Sequence, residues 1–194
     1  MELNESYWTA RYNNNQLGWD IGYPSPAITH FMDQVEDIQA KILIPGCGNA
    51  YEAAYLWDNG FQNVYLLDFS PIPLQKFSEQ NPKFPQEQLL NIDFFEMEGK
   101  FDFIIEQTFF CALNPKLRRK YAEKMVDLLK PNGLLVGLLF NIPLNDDHPP
   151  FGGNQKEYEQ LFSDYFEIEK MEMAYNSIPE RQGSELFVKM KPRN

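Results

Sequence analysis

Cysteine is nearly absent from this chain of 194 residues, which carries only Cys47 and Cys111. Two thiols cannot make a disulfide framework. Neither has a neighbouring Cys or His at metal-ligand spacing, so a reducing compartment, the cytoplasm, is expected and no metal site is. Basic residues also run short, with 17 Lys and Arg against 28 Asp and Glu and a net charge of −11. A protein that neutralises a phosphate backbone needs a basic stripe, so nucleic acid is not an expected partner. Long apolar runs are missing too. The longest clean one, 134–140, falls far below the roughly 18 to 20 residues that span a bilayer. The opening Met-Glu-Leu-Asn-Glu-Ser has neither the basic nor the apolar region of a secretory leader, so no membrane partner is expected. Internal repeats and low-complexity tracts are absent as well. What remains is one domain, 1–194, expected to act as a monomer on a small molecule.

What is present is an alternation. Residues 41–44 form a short β-branched apolar run ending in Pro45-Gly46-Cys47-Gly48, and 50–59 follow with helix formers and close on Gly60, the residue expected just past a helix end. A second run, 64–67, ends at Asp68. It leads into a helix over 71–80 with Pro71 where a first helical position tolerates proline. Strands are predicted at 89–92 and 101–106. A helix over 115–130 then places Leu117, Tyr121, Met125, Leu128 and Leu129 on one face and stops at Pro131-Asn132-Gly133. The unbroken apolar run 134–140 has the pattern of a central parallel strand covered on both faces. A helix at 154–162 and strands at 165–173 and 185–190 complete the chain. Helices at 4–12 and 25–35, joined through 18–24, precede the first strand as a leader, 1–36, expected to fold over the site as a helical lid. The fold class is therefore α/β: a doubly wound, mostly parallel seven-stranded sheet of Rossmann-like type with an antiparallel edge hairpin. Ligands bind such sheets at the carboxyl ends of the strands.

Gly46 and Gly48 let backbone approach a ligand at the start of a helix. Asp68 lies 20 residues beyond Gly48, the spacing at which an acidic side chain reaches a ribose diol in nucleotide-cofactor folds. The alternative is an ordinary turn followed by an Asp that caps the next helix. A dinucleotide fingerprint wants a third glycine where this chain has Tyr51, which disfavours an NAD(P)-dependent oxidoreductase. S-adenosylmethionine has no phosphate and needs only room for its adenosine and a polar berth for its amino-acid end, which suits this loop better. Asp93 is placed to accept from the adenine amino group while Phe94 packs on the ring. The alternative for Asp93 is a solvated loop carboxylate.

Several segments, in this order, carry a likeness: Gly18-Trp19-Asp20-Ile21-Gly22, Ile44-Pro45-Gly46-Cys47-Gly48, the stretch from Phe101 to Pro115, Leu128-Leu129-Lys130-Pro131-Asn132-Gly133 and Pro149-Pro150-Phe151. Together they resemble the thiopurine S-methyltransferase family, S-adenosylmethionine-dependent enzymes of the class I methyltransferase fold. The stretch from Thr108 to Pro115 and the tail Ile178-Pro179-Glu180-Arg181-Gln182-Gly183 look closest to its plant-type halide and thiol methyltransferase branch. The resemblance implies cofactor contacts at Trp8, Tyr12, Trp19, Gly46, Asp68, Asp93, Phe94 and Gln107, and an acceptor side at Arg181, Trp19 and Phe110. Gln107 departs from both branches, since the thiopurine enzymes have an Arg there and the plant branch an aromatic residue. Arg181 matches an Arg of the substrate region in both; otherwise it reads as a surface Arg on a loop.

Methyl transfer from a sulfonium is an in-line displacement in which placement does most of the work. A thiol, sulfide or halide arrives ionised and needs no strong base. Accordingly no catalytic residue is assigned, and His148 and Cys111 read more simply as a loop residue and a packed thiol. A cofactor-binding module without turnover is the remaining alternative.

Overall fold

The computed structural model describes residues 2–193, so the two end residues of the expected 1–194 domain lie outside the described residues. Seven strands form one sheet: β1 (Ile42–Pro45), β2 (Val64–Leu67), β3 (Leu89–Leu90), β4 (Phe101–Gln107), β5 (Leu129–Phe140), β6 (Phe166–Met173) and β7 (Glu185–Pro192). Their order across the sheet is β3-β2-β1-β4-β5-β7-β6. The first five run parallel, while β7 pairs antiparallel with both β5 and β6. Helices α1 (Glu5–Asn13) and α2 (Pro26–Met32) precede the sheet; α3 (Tyr51–Asp58), α4 (Pro71–Gln80), α5 (Arg118–Leu128) and α6 (Gln155–Phe162) alternate with its strands. Among the described residues, no helix is long and apolar enough to cross a membrane.

Successive side chains of a strand point to opposite faces, and β1 distributes its residues accordingly. Ile42 and Ile44 enter a cluster with Ile28 and Met32 of α2, Ala53 and Leu56 of α3, and Leu74 and Phe77 of α4. Leu43 enters the opposite cluster with Tyr121 and Met125 of α5 and Tyr158 and Phe162 of α6. Covered on both faces, β1 must be apolar throughout, and all four of its residues are buried.

Two segments depart from the sequence expectation for identifiable reasons. The helix predicted over 115–130 begins as a 3-10 turn at Pro115–Leu117, with the Asn114 side chain accepting from Lys116 N, and ends at Leu128. Leu129 already pairs with Phe101 of β4, so Pro131-Asn132-Gly133 is a bulge inside β5 rather than a break before it. Gly133 suits that bulge, because a Cβ there would lie 2.7 Å from the Phe101 carbonyl oxygen. The third strand is Leu89–Leu90 rather than 89–92: Asn91 turns away, and its side-chain Nδ2 donates to the carbonyls of Asp68 and Phe69.

Candidate active site

β1 and β4 are parallel neighbours, yet β2 lies beyond β1 and β5 beyond β4. Chain connections therefore leave this pair in opposite directions, and the carboxyl ends of the two strands flank a crevice, the place where open α/β sheets bind ligands. The loop after β1 turns back through left-handed conformations at Gly46 (φ 59°), Gly48 (φ 55°) and Ala50 (φ 54°) before α3 starts at Tyr51. A narrow cleft of about 40 Å³ lies against it. Its walls are this loop, Tyr51 and Glu52 of α3, Gln107 at the end of β4 with Thr108 after it, and Trp19, Asp20, Ile21 and Tyr23 of the leader.

Asp68, just past β2, sits beneath the loop and is 5% exposed. Its Oδ2 accepts from Gly48 N at 3.1 Å and from the Tyr12 hydroxyl at 3.5 Å, and its Oδ1 accepts from Ser70 N at 2.9 Å. Burial pushes its carboxyl up to about 6 against the opposing effect of these donors. Burial, and after it the same carboxylate, pushes the Tyr12 hydroxyl far above its usual range, so Tyr12 stays a donor.

The leader crosses this corner. Tyr12 and Trp8 each meet Trp19 edge to face, with centroids 5.7 Å apart in both pairs. A Cβ on Gly48 would find the Tyr12 hydroxyl at 3.5 Å and Trp19 Nε1 at 3.8 Å. Polar contacts tie the leader down: Thr9 and Ser70 share a hydroxyl hydrogen bond of 2.8 Å, Asp20 accepts from Asn49 Nδ2 and, at 3.2 Å, from the Tyr51 hydroxyl, and Ser25 N donates to Glu52 at 2.9 Å. Arg181 donates to the Trp19 carbonyl at 2.8 Å and to Glu185 at 3.5 Å, with its guanidinium over the Phe140 ring. The structure thus brings Arg181 and Trp19 together from opposite ends of the chain.

On the other wall, Gln107 presents a buried Oε1 that has no hydrogen-bond partner among the described residues. Thr108 beside it has φ 59°, a left-handed backbone that a β-branched residue seldom adopts. Phe109 follows with its ring pressed on the glycine loop, where a Cβ on Gly46 would lie 2.3 Å from Phe109 Cδ2.

Other expected site residues lie elsewhere. Asp93 is half-buried, and its Oδ1 accepts from Phe95 N at 2.8 Å to cap a 3-10 turn. Phe94 and Phe110, 3% and 1% exposed, do not line the cleft; both rings pack against Tyr121 in the core. His148 is exposed and bonds Asp147 at 2.6 Å. The Cys111 thiol, pushed up to about 12 by burial, donates to the Thr108 carbonyl. Sequence reasoning missed Asp20, Glu52 and Glu106, all acidic residues whose partners are distant in the chain or backbone amides.

The profile of the family described as Thiopurine S-methyltransferase matches residues 3–191. The chain is 32% identical over 159 residues to probable thiol methyltransferase 2 of Arabidopsis thaliana, covering 79% of this chain and 70% of that one. It is 29% identical over 198 residues to thiocyanate methyltransferase 1 of Brassica oleracea, covering 99% and 87%. Among solved structures it superposes on the 1,6-didemethyltoxoflavin-N1-methyltransferase of Burkholderia thailandensis with a TM-score of 0.77 at 16% identity, covering 98% of this chain and 87% of that chain. At that identity the likeness is one of fold.

Proposed function

This chain belongs to the thiopurine S-methyltransferase family and is an S-adenosylmethionine-dependent methyltransferase of small soft nucleophiles, and we propose that transfer takes place in the cleft between the glycine loop and the turn after β4. The observation that carries this reading is the meeting, at the β1–β4 switch point, of the Gly48–Asp68 contact with the unpartnered Oε1 of Gln107. The side chains present fit the cofactor's polar groups, while the closed cleft of about 40 Å³ is smaller than the cofactor, so the leader that walls it must open to admit it. Asp68 can accept from a ribose diol, and Gly46 and Gly48 let the backbone of the loop approach the cofactor. Gln107 Oε1 can accept from an ammonium group, while Asp20 and Glu52 make the walls acidic, which suits a cationic ligand. When bound, S-adenosylmethionine would supply an electrophilic methyl carbon on a sulfonium sulfur, open to in-line attack with S-adenosylhomocysteine as the leaving group. The face of Trp19 adds about 0.5 to 2 kcal/mol of attraction for positive charge.

We place Trp19 and Arg181 on the acceptor side. Trp8 and Tyr12 then order the leader over the cofactor, and Asp93 and Phe94 shape the wall behind its adenine end. A monomer in the cytoplasm acting on small molecules and not nucleic acid is consistent with the net charge of −11 and with two free thiols. The test is S-adenosylhomocysteine release with iodide, hydrosulfide, thiocyanate, an aromatic thiol and a thiopurine. Turnover of at least one is expected; cofactor binding without turnover of any would overturn the assignment.

For Arg181 the expectation follows from its position beside Trp19. Arg181→Ala should lower kcat/KM for an anionic acceptor about tenfold, the worth of one charged hydrogen bond, with the S-adenosylhomocysteine Kd nearly unchanged. Steady-state kinetics against calorimetry separates the two, and an unaltered kcat/KM would remove Arg181 from the acceptor side.

A further inference from the structure

The turn after β4 is held from behind. Glu106, the residue before Gln107, is 1% exposed and directs its carboxylate into the core rather than into the cleft. Its Oε1 accepts from both Phe109 N and Phe110 N at 2.8 Å, and its Oε2 accepts from the Tyr121 hydroxyl of α5 at 2.5 Å. A buried carboxylate is costly unless its oxygens are satisfied, and here each one is. Oε1 also supplies a capping acceptor at the start of the 3-10 turn Phe110–Ala112, whose own cap position, Phe109, makes no side-chain cap bond.

The two peptide hydrogen bonds fix more than a turn. They close the chain over Thr108 and hold it left-handed at φ 59° although it is β-branched. Persistent strain of that kind needs surroundings that over-determine the backbone. Gln107 and Thr108 are thereby presented to the cleft, and Phe109 is driven onto Gly46. One carboxylate thus sets the spacing between the turn after β4 and the glycine loop after β1.

We propose that Glu106 is a positioning residue for methyl transfer, fixing the turn after β4 against the glycine loop through its hydrogen bonds to the Phe109 and Phe110 amides. The inference rests on the transfer site being the cleft between those two segments. In-line displacement requires the reacting atoms about 3 to 3.5 Å apart and aligned, and a misplacement of about 1 Å can cost about a hundredfold in rate. Acceptor geometry and side-chain length matter on this account, and charge does not. A glutamine keeps both: its Oε1 can take the two amides, and its Nε2 can donate to the Tyr121 hydroxyl. An aspartate keeps the charge but is one methylene short and must drag the turn inward.

The experiment compares wild type, Glu106→Gln and Glu106→Asp with S-adenosylmethionine and hydrosulfide, alongside S-adenosylhomocysteine calorimetry and a crystal structure of Glu106→Asp. Glu106→Asp is expected to lose about ten- to hundredfold in kcat. Its S-adenosylhomocysteine Kd should rise by less than kcat falls, since of the proposed cofactor contacts only Gln107 lies beside this turn, and Thr108 should shift in its structure; Glu106→Gln should keep kcat within a few-fold. Wild-type kcat in Glu106→Asp, an equal loss in kcat and in cofactor affinity, or a Glu106→Gln as impaired as Glu106→Asp would each overturn the proposal. Should wild type leave hydrosulfide unmethylated, the comparison uses whichever of the five acceptors it does turn over, and failure with all of them is what sinks the acceptor assignment. The crystal structure then decides the positioning role by itself: a turn that stays in place in Glu106→Asp refutes it, and a displaced one supports it.

Discussion

Asp68→Ala is expected to weaken S-adenosylmethionine binding by about 1.5 to 3 kcal/mol, a rise in Kd of roughly ten- to 150-fold, the loss due when a charged acceptor of ligand hydroxyls is removed. Alanine also releases the amides of Gly48 and Ser70, which loosens the glycine loop and the start of α4. Asp68→Asn isolates the charge: one amide oxygen remains for a backbone donor, while the ribose loses its ionised acceptor. The same carboxylate makes binding pH-dependent. Burial raises it to about 6, and diol hydrogen bonds favour its ionised form, so affinity should strengthen as pH rises through about 6. At pH 5 only about a tenth of the carboxyl is ionised, and binding should be about tenfold weaker than at pH 8. Glu52 on the cleft wall and Glu106 behind the turn are also raised by burial, Glu106 to about 7, so the profile of Asp68→Asn isolates the share that belongs to Asp68. Of the groups facing Asp68, Tyr12 and Cys47 stay neutral between these pH values, each held well above its usual range by burial, and Gly48 and Ser70 offer amides. Calorimetry with S-adenosylhomocysteine at both pH values provides the check; a flat profile, or an Asp68→Asn that binds like wild type, would deny Asp68 the ribose.

Gly46→Ala should do still more damage to turnover, and Gly48→Ala much less, although the two glycines share nearly the same φ. At Gly46 a methyl group would lie 2.3 Å from Phe109 Cδ2, 2.8 Å from Cγ and 3.1 Å from Cβ. Rotating the ring does not clear the last of these. Phe109 has nowhere to retreat either, its backbone N–H donating to Glu106 and its ring packed edge to face on Phe94. Left-handed backbone costs a non-glycine residue about 1 to 2 kcal/mol, and overpacking about 1 to 3 kcal/mol more. At Gly48 the neighbours stand at 3.5 and 3.8 Å, so only the backbone cost applies. Thermal unfolding should therefore rank Gly46→Ala below Gly48→Ala by several degrees. Its kcat/KM should fall about a hundredfold or more through the displaced turn. Equal losses in the two variants would mean that Phe109 yields freely and that the close approach has no consequence.

The parts of the molecule legible in the sequence are those with a local signal. β1 and β2 announce themselves as apolar runs, Gly46 and Gly48 as turn residues after the first, and Asp68 by its distance from Gly48. Leu129 could not be assigned, because a leucine at helical spacing after Leu128 looks like helix until its pairing with Phe101 is known. Phe94 and Phe110 illustrate a second limit. They sit in 3-10 turns of Phe94–Glu96 and Phe110–Ala112, too short to carry a periodicity that says which face is buried, and their rings turn to the core. Glu106 lay hidden for a different reason. An acid at the end of an apolar strand reads as the first solvated residue, and what makes it a clamp is a pair of backbone amides, which leave no trace in composition. A useful cue is now apparent: an acid at a strand end three positions before consecutive aromatics is in reach of the amides that open the next turn.

The position of β7 has a bearing on how the protein is made. It is the last strand in the sequence but the inner one of its half of the sheet, pairing over Leu135–Phe140 on one side and Phe166–Met173 on the other. Until residues 185–192 have left the ribosome, β5 and β6 have no common neighbour, and the apolar run of β5 stands as an open sheet edge, the kind that recruits other chains. Pairings this distant along the chain also form late and slowly. Synthesis interrupted before residue 185 would therefore leave a nascent chain with most of its core assembled and its most adhesive edge uncovered, a natural client for chaperones.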